Sequence, residues 1–175
     1  TFHRSNDYGK TWLETGAVPD PDKLGAIQPT ILTHPDGRLQ TLGRSSCGSI
    51  VTSWSSDGGL TWSPLARTNL PNNNSGVDAV TLKDGRHLLV YNPVGIPEGR
   101  WGGPRTPLSV AISDDGVNWR RIMTLEDEKG EYSYPSVIQA DDGMVHVVYT
   151  WHRLRVKHAV IDLDAISQRV EANGP

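Results

Sequence analysis

The stretch SSDGGLTW, from Ser55 to Trp62, occurs almost unchanged as SNDYGKTW from Ser5 to Trp12, and a shorter variant, SDDGVNW, runs from Ser113 to Trp119. In this phrase the aspartate side chain can accept backbone N–H groups of its own turn, and the glycine adopts an unusual backbone angle at low cost. The tryptophan can pack against a neighbouring strand. The phrase therefore predicts a structural turn at the rim of a sheet, and no catalytic role is expected for its aspartates.

A second phrase alternates with the first and carries a hairpin. It joins two apolar runs through Asp-Gly in PTILTHPDGRLQTLGR (Pro29 to Arg44), DAVTLKDGRHLLVYNP (Asp78 to Pro93) and PSVIQADDGMVHVVYT (Pro135 to Thr150). Asp-Gly between β-rich runs is a strong signal for a tight hairpin. The turn aspartates of successive copies are 48 and 58 residues apart, so each repeat holds two hairpins, the strand count of a β-propeller blade.

This pattern predicts an all-β fold, a β-propeller of four-stranded antiparallel blades. About three and a half blades fit into 175 residues. The chain starts inside a blade, on its second hairpin. A helix is expected only after Asp164.

Composition narrows the classes of function. Lys and Arg number 17 against 20 Asp and Glu, which gives a formal net charge of -3 and argues against a nucleic-acid partner. No apolar run approaches the roughly 20 residues of a membrane span. The single cysteine, Cys47, cannot form an internal disulfide. Neither a phosphate-binding glycine loop nor a paired Cys/His spacing is present, so we expect no cofactor and no required transition metal.

The alternation of the two phrases resembles the sialidase (neuraminidase) superfamily, whose members carry the Asp-box, or bacterial-neuraminidase repeat. The resemblance runs from Ser5 to about Asp162. Members are typically six-bladed propellers with the active site at the centre of one face. The resemblance implies that residues 1–175 form the C-terminal half of such a domain, with six or seven blades in all. It also implies a secreted or periplasmic location. Because about three and a half blades leave unpaired strands at both ends, we expect an N-terminal half-propeller or a second copy to cover these open strand edges.

Equivalent positions around the hairpins locate the centre of the propeller. The residues eight positions before the three turn aspartates are Gln28, Gly76 and Tyr134, and those eight positions after them are Arg44, Asn92 and Thr150. Equivalent positions lie at equal radius in a propeller, so both sets are expected to surround one mouth.

The resemblance assigns chemistry to part of this ring. Sialidases are an exception among glycosidases because their nucleophile is a tyrosine, and an arginine cluster binds the sugar carboxylate. The match places Tyr134, in EYSYPSVIQADDG, at the nucleophile position, with Tyr132 as the neighbouring candidate. Arg44 and Arg105 match two carboxylate-binding arginines, and Arg100 is the alternative to Arg105.

Gln28 departs from the family pattern at an informative position. The family has a glutamate there, which takes the proton from the tyrosine. A glutamine amide can orient a phenol but cannot accept its proton as a base. The family's first arginine and its acid/base aspartate belong to blades that would precede Thr1, so these 175 residues alone are not expected to form an intact site.

Two further segments have both a structural and a functional interpretation. The segment YTWHRLRVKHAVID, from Tyr149 to Asp162, is interpreted as a basic edge strand with alternating faces, or as a segment that contributes His152 or Arg153 to substrate binding. Trp101, in the loop GIPEGRWGGPR, is a candidate platform for sugar stacking, and an ordinary connecting loop is the alternative.

Three functions from different classes follow. The first is a sialidase-like glycoside hydrolase acting on a terminal acidic sugar of a glycan. The second is a polysaccharide lyase on the same scaffold, in which arginine neutralises a uronate while tyrosine or histidine moves protons. The third is a noncatalytic glycan-binding propeller. In each case the expected partner is a glycan or oligosaccharide.

Overall fold

The computed structural model describes residues 1–166; the last nine residues of the predicted domain, with most of the region expected to be helical, lie outside that range. The described part contains thirteen strands. They are β1 (His3–Arg4), β2 (Leu13–Glu14), β3 (Ile27–Thr33), β4 (Leu39–Arg44), β5 (Ser49–Ser55), β6 (Ala66–Pro71), β7 (Asp78–Thr81), β8 (His87–Tyr91), β9 (Leu108–Ser113), β10 (Arg120–Glu126), β11 (Tyr132–Gln139), β12 (Val145–Trp151) and β13 (Arg155–Ile161).

The strands form four antiparallel sheets in chain order. The first sheet is β1-β2, the second is β3-β4-β5-β6, the third is β7-β8-β9-β10, and the fourth is β11-β12-β13. Neighbouring strands within each sheet pair antiparallel. The prediction of an all-β fold with four-stranded antiparallel sheets is confirmed, and the fourth sheet has three strands within residues 1–166.

The Asp-Gly hairpins lie where the sequence predicts them. Gly37, Gly85 and Gly143 have φ of 83°, 90° and 88°, the left-handed backbone that favours glycine. In each turn the preceding aspartate accepts the backbone N–H two residues after itself, as Asp36 does from Arg38 over 3.0 Å. Because the three hairpins are equivalent, β3, β7 and β11 occupy the same position in the second, third and fourth sheets.

Each Asp-box closes on itself. Asp57 accepts the backbone N–H groups of Leu60 and Thr61, the Thr61 hydroxyl and the Ser55 hydroxyl. These hydrogen bonds, those of Thr61 first, lower the pKa of Asp57 to about 2. Trp62 donates its indole N–H to the carbonyl of Gly59 over 3.2 Å. The turn thus satisfies its own polar groups, as the sequence predicts.

One prediction about these turns is wrong. The tryptophan of the phrase is expected to pack against a neighbouring strand, but Trp12 is 63% exposed, whereas Trp62 is 8% exposed and its ring centroid lies 4.7 Å from that of Phe2. Trp12 contacts its own turn through an indole hydrogen bond to the carbonyl of Gly9 over 3.1 Å. Its sheet has two strands within residues 1–166, so no wide sheet face lies beside the ring.

The core lies between the sheets. One apolar cluster joins the second sheet to the third, and a larger one joins the third to the fourth. Hydrogen bonds also connect the first strands of successive sheets: the Thr30 hydroxyl donates to the Ala79 carbonyl over 3.0 Å, and Val137 N–H donates to the Asp78 carboxylate over 2.8 Å. The first strands of the second, third and fourth sheets, β3, β7 and β11, therefore lie side by side.

The segment from Tyr149 to Asp162 is not one continuous strand. A tight turn at residues 152–154 separates β12 from β13, and Leu154 N–H donates to the Trp151 carbonyl over 3.0 Å. His152 and Arg153 both have positive φ, 52° and 55°, as in a type I′ turn. The chain reverses at residues 152–154. The predicted alternation of side chains between the two faces of the strand is therefore wrong for His152 and holds only from Arg155 onwards.

Residues 163–166, the last that the structure describes, are helical, and the Asp162 carboxylate accepts the N–H groups of Asp164 and Ala165 at the start of this segment. No helix within residues 1–166 has the length and apolar character needed to cross a membrane.

Candidate functional site

The strands β3 and β11 begin with the same irregularity. Gln28 and Tyr134 have φ of 52° and 51°, and each precedes a proline, Pro29 or Pro135. The register of each strand against its partner shifts at this point. Proline gives the ladder no N–H, and a bulge turns a side chain away from its regular direction. Positive φ in a bulky residue is costly and occurs where a site needs it, so Tyr134 is a functional candidate on backbone geometry.

Gly76 lies between these two side chains. A Cβ placed on Gly76 would be 3.1 Å from Cδ1 of Tyr134 and 3.8 Å from Oε1 of Gln28. The three residues that the sequence aligns as equivalent strand starts therefore adjoin one another. The absence of a side chain at position 76 leaves room for the Tyr134 ring.

Two arginines act on the phenol of Tyr134, which is 46% exposed. The guanidinium carbon of Arg105 lies 5.0 Å from the ring centroid. Arg105, and less strongly Arg44, hold the pKa of Tyr134 below its ordinary value, against an opposing effect of partial burial. Arg44 is buried and donates from Nη1 to the Asn74 carbonyl over 3.3 Å. Arg100, the alternative to Arg105, is exposed in the same connection.

Sequence reasoning missed Glu131. Its Oε1 accepts hydrogen bonds from Nη1 of Arg105 over 3.2 Å and from Nε of Arg153 over 2.6 Å. Glu131 lies three residues before Tyr134 in GEYSY. Glu131 is the acidic residue nearest in sequence to Tyr134, but nothing in the hairpin repeat marks it, because it precedes the repeated phrase.

The asparagine turn before Gly76 was also missed as a part of the site. Asn74, which has φ of 61°, donates from Nδ2 to the Trp101 carbonyl over 3.2 Å. Gly103 N–H donates to the Asn73 carbonyl over 2.9 Å. The same turn thus holds Arg44 and the loop that carries Trp101, whose side chain is 72% exposed. The run NNNSG was the sequence signal for such a turn.

The remaining candidates lie behind the mouth. Tyr132 is 1% exposed, its ring is 5.1 Å from that of His152, and burial raises its pKa. His152 also packs edge-on against Trp151 at 4.1 Å. Asn92 is buried and donates to the carbonyls of Pro107 and Tyr132. Of the two tyrosines, Tyr134 reaches the surface and Tyr132 supports the wall.

The arrangement favours an anionic ligand beside a phenol. Arg105 and Arg153 both pair with one carboxylate, that of Glu131, and Arg44 adds a third guanidinium beside Tyr134, so positive charge is in excess. Guanidinium groups bind carboxylates through paired N–H donors. Within residues 1–166, no three His, Cys, Asp or Glu side chains come together as metal ligands.

Comparison with known proteins gives this geometry a family. The model of the BNR repeat-like domain matches residues 1–147. The anhydrosialidase of Macrobdella decora is 25% identical over 171 residues, 87% of this chain and 22% of that protein. A sialidase of Vibrio cholerae is 27% identical over 186 residues, 91% of this chain and 24% of that protein. The chain spans about a quarter of the length of these curated relatives.

The fold has a solved counterpart. The intramolecular trans-sialidase of Ruminococcus gnavus, in complex with oseltamivir carboxylate, superposes with a TM-score of 0.73 at 21% identity, covering 94% of this chain and 38% of that one. The four sheets thus have the fold of sialidase β-propellers. Because the family model covers most of the sequence, including the Asp-boxes and the Asp-Gly hairpins, the chain belongs to the BNR repeat-like domain family of the sialidase superfamily.

Proposed function

We propose that the full-length protein is a sialidase-like glycoside hydrolase that removes a terminal acidic sugar from a glycan. Tyr134 is the nucleophile, and Arg44 and Arg105 bind the sugar carboxylate. The observation that carries this proposal is a phenol on strained backbone with two guanidinium groups acting on it. The similarity to proteins named sialidase and anhydrosialidase supports sialic acid as the first sugar to test.

The chemistry suits a tyrosine because the reacting carbon carries a carboxylate. A neutral phenol approaches that carbon without the charge repulsion that Asp or Glu would meet. Its oxygen loses its proton to solvent and forms a bond to the anomeric carbon as the glycosidic bond breaks, and water later cleaves the sugar–tyrosine bond with net retention. Arg44 and Arg105 neutralise the sugar carboxylate and favour loss of the phenol proton. The family's acid/base aspartate, which protonates the leaving oxygen, is expected from other blades.

Gln28, in place of the family's glutamate, leaves the phenol proton of Tyr134 without a neighbouring base to accept it. The glutamine side chain lies across Gly76 from Tyr134 and can orient the phenol by a hydrogen bond, but it cannot remove the proton. Lowering of the phenol pKa by Arg105 and Arg44 compensates in part for the missing base. We therefore expect turnover to rise with pH through the titration of Tyr134.

The exposed groups around the mouth are assigned to substrate binding. Trp101 offers an indole face for the next sugar of the chain, held by the Asn74 hydrogen bond to its carbonyl. Arg153 forms an ion pair with Glu131, and this pair places its guanidinium group at the edge of the mouth. His152 contributes by fixing the wall, since its ring packs on Tyr132.

A trapping experiment tests the hydrolase. The full-length protein is incubated with a 3-fluoro sialyl fluoride, which forms a slowly hydrolysed glycosyl-enzyme, and digested for mass spectrometry. A sugar adduct on the peptide containing Tyr134, absent in Tyr134→Phe, is expected. Release of free sugar with no adduct on Tyr134 would contradict the assignment of the nucleophile.

A lyase is the second candidate, and Gln28 favours it. A phenol with lowered pKa and no carboxylate base beside it can itself act as the base. It would take the proton next to a uronate carboxylate while the arginines stabilise the resulting anion. The neighbouring C–O bond then breaks to leave a C=C bond, and the phenol returns the proton to the leaving oxygen. No water is consumed, so the product contains a new double bond and no solvent oxygen.

Product analysis separates the three classes. The full-length protein is incubated with sialylated and uronate-containing oligosaccharides in ¹⁸O-enriched water. The hydrolase gives a sugar with one solvent oxygen, and the lyase gives a product that absorbs in the ultraviolet without that oxygen. Saturable binding of an acidic oligosaccharide with neither product would identify a noncatalytic glycan-binding propeller.

We also propose that a further blade covers the outer face of the fourth sheet. Leu88 and Val90 in β8 are fully buried under the fourth sheet. The corresponding residues of β12, four and six positions after the turn aspartate, are His146 and Val148, and Val148 is 39% exposed. The same face exposes Ile138, Val156 and Val160.

Light scattering tests how that face is covered. We favour a half-propeller outside these 175 residues over a second copy, because the family's remaining site residues would come with it. The 19.2 kDa chain expressed alone should then associate or precipitate, and coexpression with the remaining blades should restore a monodisperse particle. A stable monodisperse monomer of the isolated chain would contradict both forms of coverage.

A further inference from the structure

We infer that Glu131 is a positioning residue that holds Arg105 against Tyr134 and Arg153 at the edge of the mouth. The catalytic importance of this arrangement rests on the proposed role of Tyr134. The contacts themselves do not depend on the identity of the reaction.

One carboxylate oxygen links the two arginines. Oε1 of Glu131 accepts from Nη1 of Arg105 over 3.2 Å and from Nε of Arg153 over 2.6 Å, and the Ser133 hydroxyl lies 3.5 Å away. On its other side Arg105 lies over the ring of Tyr134. Glu131 therefore acts on the phenol through Arg105.

The backbone brings these side chains together from three separate segments. Tyr132 N–H donates to the Arg105 carbonyl over 2.9 Å, and His152 N–H donates to the Glu131 carbonyl over 2.7 Å. The turn that presents Arg153 has two non-glycine residues with positive φ, which is costly and recurs where a site requires a side chain in one place. Glu131 lies between Arg105 and this turn.

The arrangement also leaves donors free for a ligand. Arg153 uses Nε for Glu131, and its Nη groups make no hydrogen bond within residues 1–166. The Arg153 side chain is 66% exposed. Glu131 thus fixes one side of this guanidinium and leaves the other for an acidic or hydroxyl group of the glycan.

The direction of one titration tests the inference. The protein is labelled with ¹³Cζ-tyrosine, and the Tyr134 resonance is assigned by its absence in Tyr134→Phe. If Glu131 holds Arg105 in place, Glu131→Gln releases the arginine and the pKa of Tyr134 rises toward the ordinary tyrosine value of about 10. If Glu131 is only a nearby negative charge, its removal leaves that pKa unchanged or lowers it further.

Two further variants keep the test decisive. Glu131→Asp keeps the charge but shortens the side chain by one methylene, so it should also raise the pKa of Tyr134, whereas a nearby charge alone predicts no change. Glu128→Gln is the matched control, because it removes a carboxylate from the same connection, and it should titrate like the wild type. Values for Glu131→Gln and Glu131→Asp at or below the wild-type pKa would overturn the inference.

A double-mutant cycle checks that the effect passes through Arg105. Arg105→Gln should raise the pKa of Tyr134, and adding Glu131→Gln to it should produce no further rise. An additional rise in the double variant would mean that Glu131 acts by another route.

The titration needs no turnover, so it separates this inference from the proposed function. If the wild-type protein cleaves no acidic glycan, the proposed function fails while the titration still decides the role of Glu131. If it does cleave one, the pH profile of kcat/KM should move in Glu131→Gln in the same direction as the phenol titration.

Discussion

The Asp-box turns and the central mouth are both built from repeated sequence, yet they differ in hydrogen bonding. The polar groups of the turns have partners, whereas several polar atoms around the mouth have none within residues 1–166. Asp57 has its carboxylate satisfied by four donors from its own turn. Around the mouth, buried polar atoms lack a partner within residues 1–166. They are Nε of Arg44, Oδ1 of Asn73, Oγ of Ser75 and Oδ1 of Asn92.

This difference separates a structural repeat from a functional one. The Asp-box keeps the same residue types in each copy because each copy stabilises the same kind of turn. At the strand starts the three copies diverge to Gln28, Gly76 and Tyr134, on backbone that is strained in two of them. Divergence at equivalent positions, together with strain and unsatisfied polar atoms, marks the place where the fold binds a ligand.

The largest expected effect comes from exchanging a tyrosine in each region. Tyr134→Phe should lower kcat/KM by at least about 1,000-fold, because it removes the nucleophile or base, with little change in the unfolding midpoint. Tyr8→Phe, in the first Asp-box where the ring is fully exposed, should keep wild-type activity. Steady-state kinetics on an acidic glycan measure both, and similar activities for the two variants would remove the distinction.

A second pair compares two copies of the same Asp-box. Trp62→Ala should destabilise the protein by about 3–5 kcal/mol, because a buried indole leaves a cavity. Trp12→Ala should cost less than about 1 kcal/mol, since that ring is largely exposed. Denaturant unfolding provides both values. Equal losses would mean that Trp12 is covered in the full-length protein by parts outside these residues.

Much of the fold could be predicted because turn chemistry is local. The Asp-Gly pairs at Asp36, Asp84 and Asp142 require positive φ in the following glycine, and the structure has it in all three. Counting eight residues back from each turn then predicted that Gln28, Gly76 and Tyr134 adjoin. Propeller symmetry converts such a count into a spatial relation, which is why three residues far apart in sequence could be brought together.

The parts that could not be predicted depend on contacts between non-equivalent segments. Glu131 belongs to a connection with no counterpart in the other copies, and its partner Arg153 lies in a tight turn without glycine or asparagine. Alternation of residue types in that segment suggested a continuous strand instead. The exposure of Trp12 depends on which neighbours its sheet has, and its local sequence matches that of the buried Trp62.

A third comparison replaces one glycine at the mouth and one glycine in a hairpin turn with alanine. Gly76→Ala puts a methyl group 3.1 Å from the Tyr134 ring, which should displace the phenol and lower kcat/KM by about tenfold with little loss of stability. Gly37→Ala has open space around its Cβ but a φ of 83°, so it should cost about 1–2 kcal/mol of stability and leave activity intact. Kinetics and unfolding are measured on both variants. A large fall in stability for Gly76→Ala would show that the gap at the mouth serves packing.

The smallest expected effect is on the thermal stability of the protein at low pH. The pKa of Asp57 is about 2 in the folded protein and about 3.9 in an unfolded chain, so its contribution to stability is complete above about pH 4 and is lost as the pH falls toward 2. Asp57→Asn should therefore unfold at a lower temperature than wild type at pH 5, and the two midpoints should converge toward pH 2. Salt should shrink the difference, since the carboxylate is exposed. Tyr134→Phe should follow the wild-type curve throughout this range, because the phenol stays protonated in both states. If Asp57→Asn runs parallel to wild type from pH 5 to 2, the carboxylate of the Asp-box is not what stabilises its turn, and its hydrogen bonds would have to be supplied equally well by a neutral amide oxygen.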